Sequence, residues 1–222
     1  MAARPPARKP SVLPPPDGET LGAEVTREKL LQAAHELLYE RAGEPVTVSE
    51  ICARAGANVA MVKYCFGSKD GLLDALVERL LSQLTGEIDR LDALGLPPGE
   101  ALRRHVAEMV RNYVRFPYVN RLLNERLVRG EPDTVDRLSR AYAEPTRAWY
   151  ARLLAEGHRD EGWREVDPTF FFFTVIGACE FLFSARTWLE RSFAEPMDQE
   201  LVERFVTHTT ELVLAGLGGR PA

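Results

Sequence analysis

The chain has 222 residues, 45% hydrophobic and 27% charged, which describes a globular protein of one ordinary domain or two small ones with a real buried core. A net charge of −5 excludes bulk electrostatic attraction as a way to hold a polyanion; any such binding depends on where individual charges sit. Cys52, Cys65 and Cys179 show no metal-ligand spacing and sit in apolar patterns, which points to buried thiols in a reduced, cytoplasmic compartment, with a redox sensor as the alternative.

Residues 1 to 22 are rich in proline and carry Arg4, Arg8 and Lys9. Such a segment buries too little apolar surface to order itself, so it reads as a mobile basic arm, either a solvated tail or a follower of nucleic-acid backbone. It lacks the apolar stretch of a signal peptide. A first helix is predicted from about Thr26, as N-cap, to Arg41, with Gly43 as its stop and Leu30, Ala33, Ala34, Leu37 and Leu38 as its core stripe. Thr47 followed three residues later by Glu50 is a capping box that opens a second helix, with Ile51 and Ala55 facing inward. Gly56 can take the positive φ of an abrupt helix stop, and Asn58 can cap a third helix from Asn58 to Cys65. Two short helices joined this way form a helix-turn-helix, whose second helix fits the DNA major groove. Gly67 or Ser68 then caps a fourth helix carrying Leu72, Leu73, Leu76, Val77, Leu80, Leu81 and Leu84.

In this stretch Ala55, Gly56, Tyr64, Phe66, Ser68, Lys69 and Leu72 fall in the register of a motif that resembles the DNA-binding domain of TetR-family transcriptional regulators. The resemblance is specific over residues 24 to 85; beyond, only length and helical layout are similar. Before the tyrosine this chain has Asn58-Val59-Ala60-Met61-Val62-Lys63, which departs from the usual family residues, so no operator sequence carries over. On the third helix Val59, Ala60, Met61, Lys63 and Tyr64 can face outward, while Val62 and Phe66 look inward. Lys63 suits guanine or a phosphate, Ala60 and Met61 a thymine methyl, and the Tyr64 hydroxyl a phosphate. The alternatives are a core aromatic for Tyr64 and a packing role for Met61. The resemblance adds Ser49 and Lys69, the latter where free N–H groups suit a phosphate oxygen. With the caps Thr47 and Asn58 these residues form the candidate DNA-binding set. Residues 24 to 80 hold seven basic against nine acidic side chains, a net charge near −2, so weak non-specific DNA binding is expected.

Leu94 to Gly99, with Pro97 and Pro98, is a linker-like break. Apolar-periodic segments follow near residues 99–115, 117–129, 133–157, 168–192 and 198–216, with Pro117, Pro132, Pro168 and Pro196 at helix starts. Pro145 lies inside a helical pattern and predicts a kink or break. The longest apolar run, Phe170 to Cys179, stops at Glu180 and is short of the roughly 20 residues a bilayer span needs, so no membrane partner is expected.

His35, His105, His158 and His208 are scattered without zincin spacing, and phosphate-loop, nucleophile-elbow and C-x-x-C patterns are absent. No catalytic residue, metal ligand or cofactor is therefore assigned, and the chain does not read as an enzyme. Met109, Tyr113, Tyr142, Trp149, Phe172 and Glu180 are candidates to wall a ligand pocket; the aromatics alternatively form core or dimer interface. Glu180, set among Cys179, Phe181 and Phe183, must be paired, protonated or facing water. The reading is an all-α chain: an arm at 1–22, a three-helix DNA-binding domain at 23–70, and a larger ligand-sensing and dimerisation bundle at 71–222. By resemblance, a homodimer formed through the last two helices binds a palindromic double-stranded operator and is released by a partly apolar small molecule. The competing reading is a helical dimeric DNA-binding or interaction protein with no sensor role.

Overall fold

The computed structural model describes residues 22–41 and 44–218; the N-terminal arm and the expected Gly43 stop lie outside the described residues. Gly22–Glu40 forms α1, Val48–Ala55 α2, Val59–Phe66 α3 and Lys69–Asp92 α4. Pro98–Arg115 forms α5, Val119–Arg129 α6, Pro132–Leu138 α7, Glu144–Asp160 α8, Pro168–Ser184 α9, Arg186–Ser192 α10 and Gln199–Leu217 α11. No strand occurs among the described residues, only an isolated bridge between Trp163 and Gly218.

Three local expectations need correction. Thr26 does not cap α1: Gly22 to Val25 are already helical, and its hydroxyl donates to the Gly22 carbonyl at 3.0 Å inside the helix. The segment 168–192 is two helices, because Ala185 leaves helical geometry and α10 begins after it. At Pro145 the break falls just upstream, where Ser139–Ala143 winds as a π-helical turn that runs into α8; the Ala141 carbonyl, four residues before the proline, accepts from the Thr85 hydroxyl at 2.7 Å in place of the N–H that Pro145 lacks. Pro132 and Pro168 open α7 and α9 as expected.

The chain divides into two compact units. The first comprises α1 to α3, α4 as far as Leu80, and Phe116–Thr134. Its core takes Leu30, Leu31, Ala34 and Leu38 from α1, Ile51 and Cys52 from α2, Val62 from α3, and Leu72, Leu76, Val77 and Leu80 from α4; each fully buried aliphatic contributes about 1.5–3 kcal/mol. The α6 segment belongs to this unit through polar contacts that are themselves buried. Tyr118 and His35, both without solvent exposure, share a hydrogen bond. The Arg126 Nε donates to Asp74 at 2.8 Å.

The second unit holds α4 from Leu81, α5, and the chain from Val135. Here α5 packs against α8, α9 and α11, around Leu102, Val106, Val110, Trp149, Tyr150, Phe171, Val175, Cys179, Val202 and Leu217. Trp163 lies over Gly157, where an added Cβ would come within 2.1 Å of the ring; only glycine lets that indole close the core. His105 is buried between Trp149 and Tyr150, its Nε2 2.8 Å from the Tyr150 hydroxyl.

Burial pushes the His105 imidazole down to about 4 from its ordinary 6.5. The unfolded chain therefore binds this proton between those values while the folded chain does not, so stability falls on acidification through that window. About 2 kcal/mol should be lost from this group between pH 7 and pH 5. Urea unfolding at the two pH values, compared with His105→Gln, should show that slope largely removed in the variant.

Candidate functional site

The turn between α2 and α3 is set by three local devices. Thr47 Oγ1 accepts from the Glu50 N–H and the Glu50 carboxylate accepts from the Thr47 N–H at 2.8 Å, a complete capping box. Gly56 ends α2 with φ 64°, a left-handed geometry costly for other residues. Asn58 then caps α3, its Oδ1 accepting from the Ala60 N–H at 2.9 Å. Ser68 accepts from the Gly71 N–H at 3.0 Å and opens α4.

These caps aim α3 with Val62 inward, 3% exposed, and Val59, Ala60, Lys63 and Tyr64 outward; Tyr64 is 75% exposed and is not a core aromatic. Met61 is half-buried, as are Phe66 and Cys65. Thr47 and Ser49 are exposed at the start of α2, Asn58 is exposed before α3, and Lys69 is half-buried at the start of α4.

Ion pairs decide which charges of this unit are already engaged. Arg41 holds Glu50 at 2.5 Å, and Arg54 holds Glu40 at 2.8 Å and Glu36 at 3.3 Å. Arg79 pairs with Glu28. Arg129 holds Asp70 at 3.0 Å and Arg126 holds Asp74 at 2.8 Å. The Arg41 hydrogen bond, with those from Thr47, draws the Glu50 carboxyl down to about 2, and the Arg54 hydrogen bond lowers that of Glu40. Lys29, Lys63 and Lys69, by contrast, form no ion pair among the described residues. Most acids are thus neutralised internally while these lysine charges stay available. Arg126 and Arg129, outside the helix-turn-helix sequence, were the part no local motif could reveal.

In the second unit, Met109, Trp149 and Phe172 are buried in one core cluster, with Tyr113 and Tyr142 packed against it. Tyr113 stacks on Phe183 with centroids 5.5 Å apart, and Phe172 lies between Tyr142 at 6.2 Å and Tyr150 at 6.5 Å. Trp149 donates its indole N–H to Asp92 at 3.1 Å. Glu180 is half-buried on α9, accepting from the Ser184 hydroxyl. Cys179 is buried, and burial pushes its thiol up to about 12, which makes it an inert packing residue.

The family model described as tetracyclin repressor-like, C-terminal domain, matches residues 95–220, and that of bacterial regulatory proteins, tetR family, matches residues 30–76. The chain belongs to the TetR family. It is 25% identical over 198 residues to the HTH-type transcriptional repressor NicS of Pseudomonas putida, covering 88% of this chain and 93% of that one. To the HTH-type transcriptional regulator BetI of Escherichia coli it is 33% identical over 90 residues, 40% of this chain and 45% of BetI, so that likeness spans less than half of the relative. A TetR/AcrR-family regulator from Thermobifida fusca shares the fold with a TM-score of 0.66 at 23% identity, covering 86% of this chain and 97% of that one. The regulator FadR of Bacillus subtilis, solved with stearoyl-CoA, gives 0.66 at 16% identity, covering 85% and 97%. This TetR-family chain is therefore a DNA-binding regulator of transcription with a helix-turn-helix in its first unit.

Because the Asn58 side chain satisfies a helix-end N–H, Asn58→Ala should cost about 1 kcal/mol of stability. Asn58→Ser should restore most of it. Denaturant midpoints of the three proteins at one temperature measure the difference.

Proposed function

We propose that this protein is a ligand-released repressor that binds a palindromic operator as a homodimer, with residues 23–70 reading DNA and 71–222 sensing and dimerising. The observation that carries the dimer is the outward face of α9. Phe170, Phe173 and Phe181 are 73%, 67% and 61% exposed, and Gly177 between them has open space where a Cβ would sit. Their spacing puts them on one helical face, and α11 leaves Leu212, Ala215 and Gly216 exposed as well. A water-facing stripe of phenylalanine this large marks an interface, and a second copy supplies a matching surface with a glycine for close approach. Two-fold pairing also provides two recognition helices, as operators with half-sites about 34–36 Å apart require.

The sensor half of the proposal is supported by the polar-tipped aromatic cluster of the second unit, and by neighbours of the same fold solved with acyl-CoA ligands. The helix α4 runs unbroken from Lys69 to Asp92, so the lysine assigned to phosphate and part of the sensing unit share one helix. The coupling exists only if the effector prefers one state, and is typically 1–3 kcal/mol.

Phe173→Glu with Phe181→Glu should turn a sedimenting dimer into a monomer and weaken operator binding at least tenfold; an unchanged dimer mass would move the interface elsewhere. Lys69, at a helix start, is assigned to phosphate and Lys63, midway along α3, to a base edge. Lys69→Ala should weaken binding to operator and scrambled duplex alike and reduce the slope of log K against log salt by about 0.9 for every phosphate that is no longer neutralised. Lys63→Ala should cost roughly 1–3 kcal/mol at the operator and relax discrimination at one base position. Titrations at several salt concentrations separate the two, and equal losses on both duplexes for Lys63→Ala would overturn its assignment.

A further inference from the structure

The charge inventory of the second unit is lopsided in a way that bears on what it can bind. The sequence contains no lysine after Lys69. Among the described residues of this unit every arginine is exposed except Arg137, which is half-buried. Its buried polar side chains are His105, Asn112, Thr146, Thr209 and Thr210, and burial keeps His105 neutral near pH 7. An anionic group carried into this core would meet no buried positive charge, and the desolvation cost of an uncompensated anion is severe.

Carboxylates, by contrast, do border the aromatic cluster. Glu87 on α4 is half-buried and oriented by the Asn112 amide, which donates to its Oε2 at 3.0 Å; its other oxygen lies 4.0 Å from the exposed Arg90. Glu180 on α9 accepts from Ser184. Burial first, then the charges of Tyr142, Cys179 and Glu180 for Tyr113, and of Cys179 and Glu87 for Tyr142, hold the two phenols above their ordinary range. Glu180 thus acts on Tyr113 and Glu87 on Tyr142, and the Asn112 amide ties Glu87 to the residue beside Tyr113. The hydroxyls of Tyr113 and Tyr142 make no hydrogen bond among the described residues. Neither does that of Thr146, fully buried and one turn from both Tyr142 and Tyr150 on the face of α8 that meets Phe172. Of these three hydroxyls only that of Thr146 is buried without a partner, a condition it shares in this unit with Thr210, and such a group is costly unless a ligand meets it.

We propose that the effector is a small organic cation with an apolar or aromatic body, its charge directed to Glu180 and Glu87 and its body packed on Tyr113, Tyr142, Phe172 and Phe183. The inference rests on the sensor reading above and names its ligand class. Aromatic faces attract a desolvated cation, the carboxylates supply the counter-charge, and the lack of a buried lysine or arginine in this unit leaves nothing to compensate an anion carried into the core.

The test uses the full chain and three probes: benzyltrimethylammonium, its uncharged carbon isostere neopentylbenzene, and dodecanoyl-CoA. Calorimetric titration and melting temperature give binding, and operator affinity gives release. The cation should bind at least tenfold more tightly than the isostere and weaken operator binding. Glu180→Gln and, separately, Glu87→Gln should each reduce cation affinity about tenfold without changing that of the isostere, with far-ultraviolet dichroism confirming the fold. Equal affinity for cation and isostere, or glutamine variants that bind the cation as wild type does, would overturn the inference. Dodecanoyl-CoA alone binding and releasing the operator would overturn it too while leaving the sensor reading standing. Failure of all three probes to shift melting or operator affinity would count against both.

Discussion

Arg41, Arg54, Arg79, Arg126 and Arg129 each hold a carboxylate of the first unit, and the field around α3 depends on those pairs. Without them Glu36, Glu40, Glu50, Asp70 and Asp74 would stand as uncompensated negative charges in the unit that carries the helix-turn-helix. With them, Lys63 on α3 and Lys69 at the start of α4 are cations without an ion pair among the described residues, which is why the proposed reading assigns DNA contacts to them. The pairs are mostly exposed and individually worth little to stability, so their importance lies in direction of field. Arg126 is the exception: it is 3% exposed, and its Nη2 has no hydrogen-bond partner among the described residues. Removing Asp74 would leave this buried charge to Glu125 at 3.4 Å and Asp70 at 3.8 Å, a larger penalty than losing a surface pair.

That same arginine ties function to topology. The helix-turn-helix is a small assembly whose three helices bury modest apolar area, and it is completed by a segment from much later in the chain, Phe116–Thr134. Tyr118 on His35 and Arg126 on Asp74 fix α6 by polar contacts that tolerate little displacement, since a buried donor pulled from its acceptor loses its partner without regaining water.

Legibility in the sequence followed the range of the interaction. Thr47 with Glu50, Gly56 and Asn58 were readable because capping and positive φ are decided within four residues. The stripe on α1 was readable because its period is local. Thr26 misled because a hydroxyl that can cap a helix can equally bond a carbonyl inside one, and the choice rests on whether Gly22 to Val25 coil. The end of α9 at Ala185 carries no glycine or proline and left no mark in the pattern. His35 with Tyr118, 83 residues apart, and Asp70 with Arg129, 59 apart, are products of tertiary packing and had no signature to read. For the aromatic cluster, residue types were visible in advance, but not that Phe172 would lie between Tyr142 and Tyr150.

The π-helical turn at Ser139–Ala143 carries an implication for how such a core diversifies. A π turn holds one residue more than the α-helix it interrupts, and each residue of an α-helix turns the chain by about 100°. Loss of a single residue there would restore a regular helix from α7 into α8 and swing one side of the junction relative to the other by that angle. Tyr142 would leave Phe172 while Thr146 and Tyr150 stayed in place. One codon's deletion there would therefore replace the side chain that Tyr142 presents to Phe172 while Thr146 and Tyr150 stayed, at the cost of re-seating the helix on the side that swings.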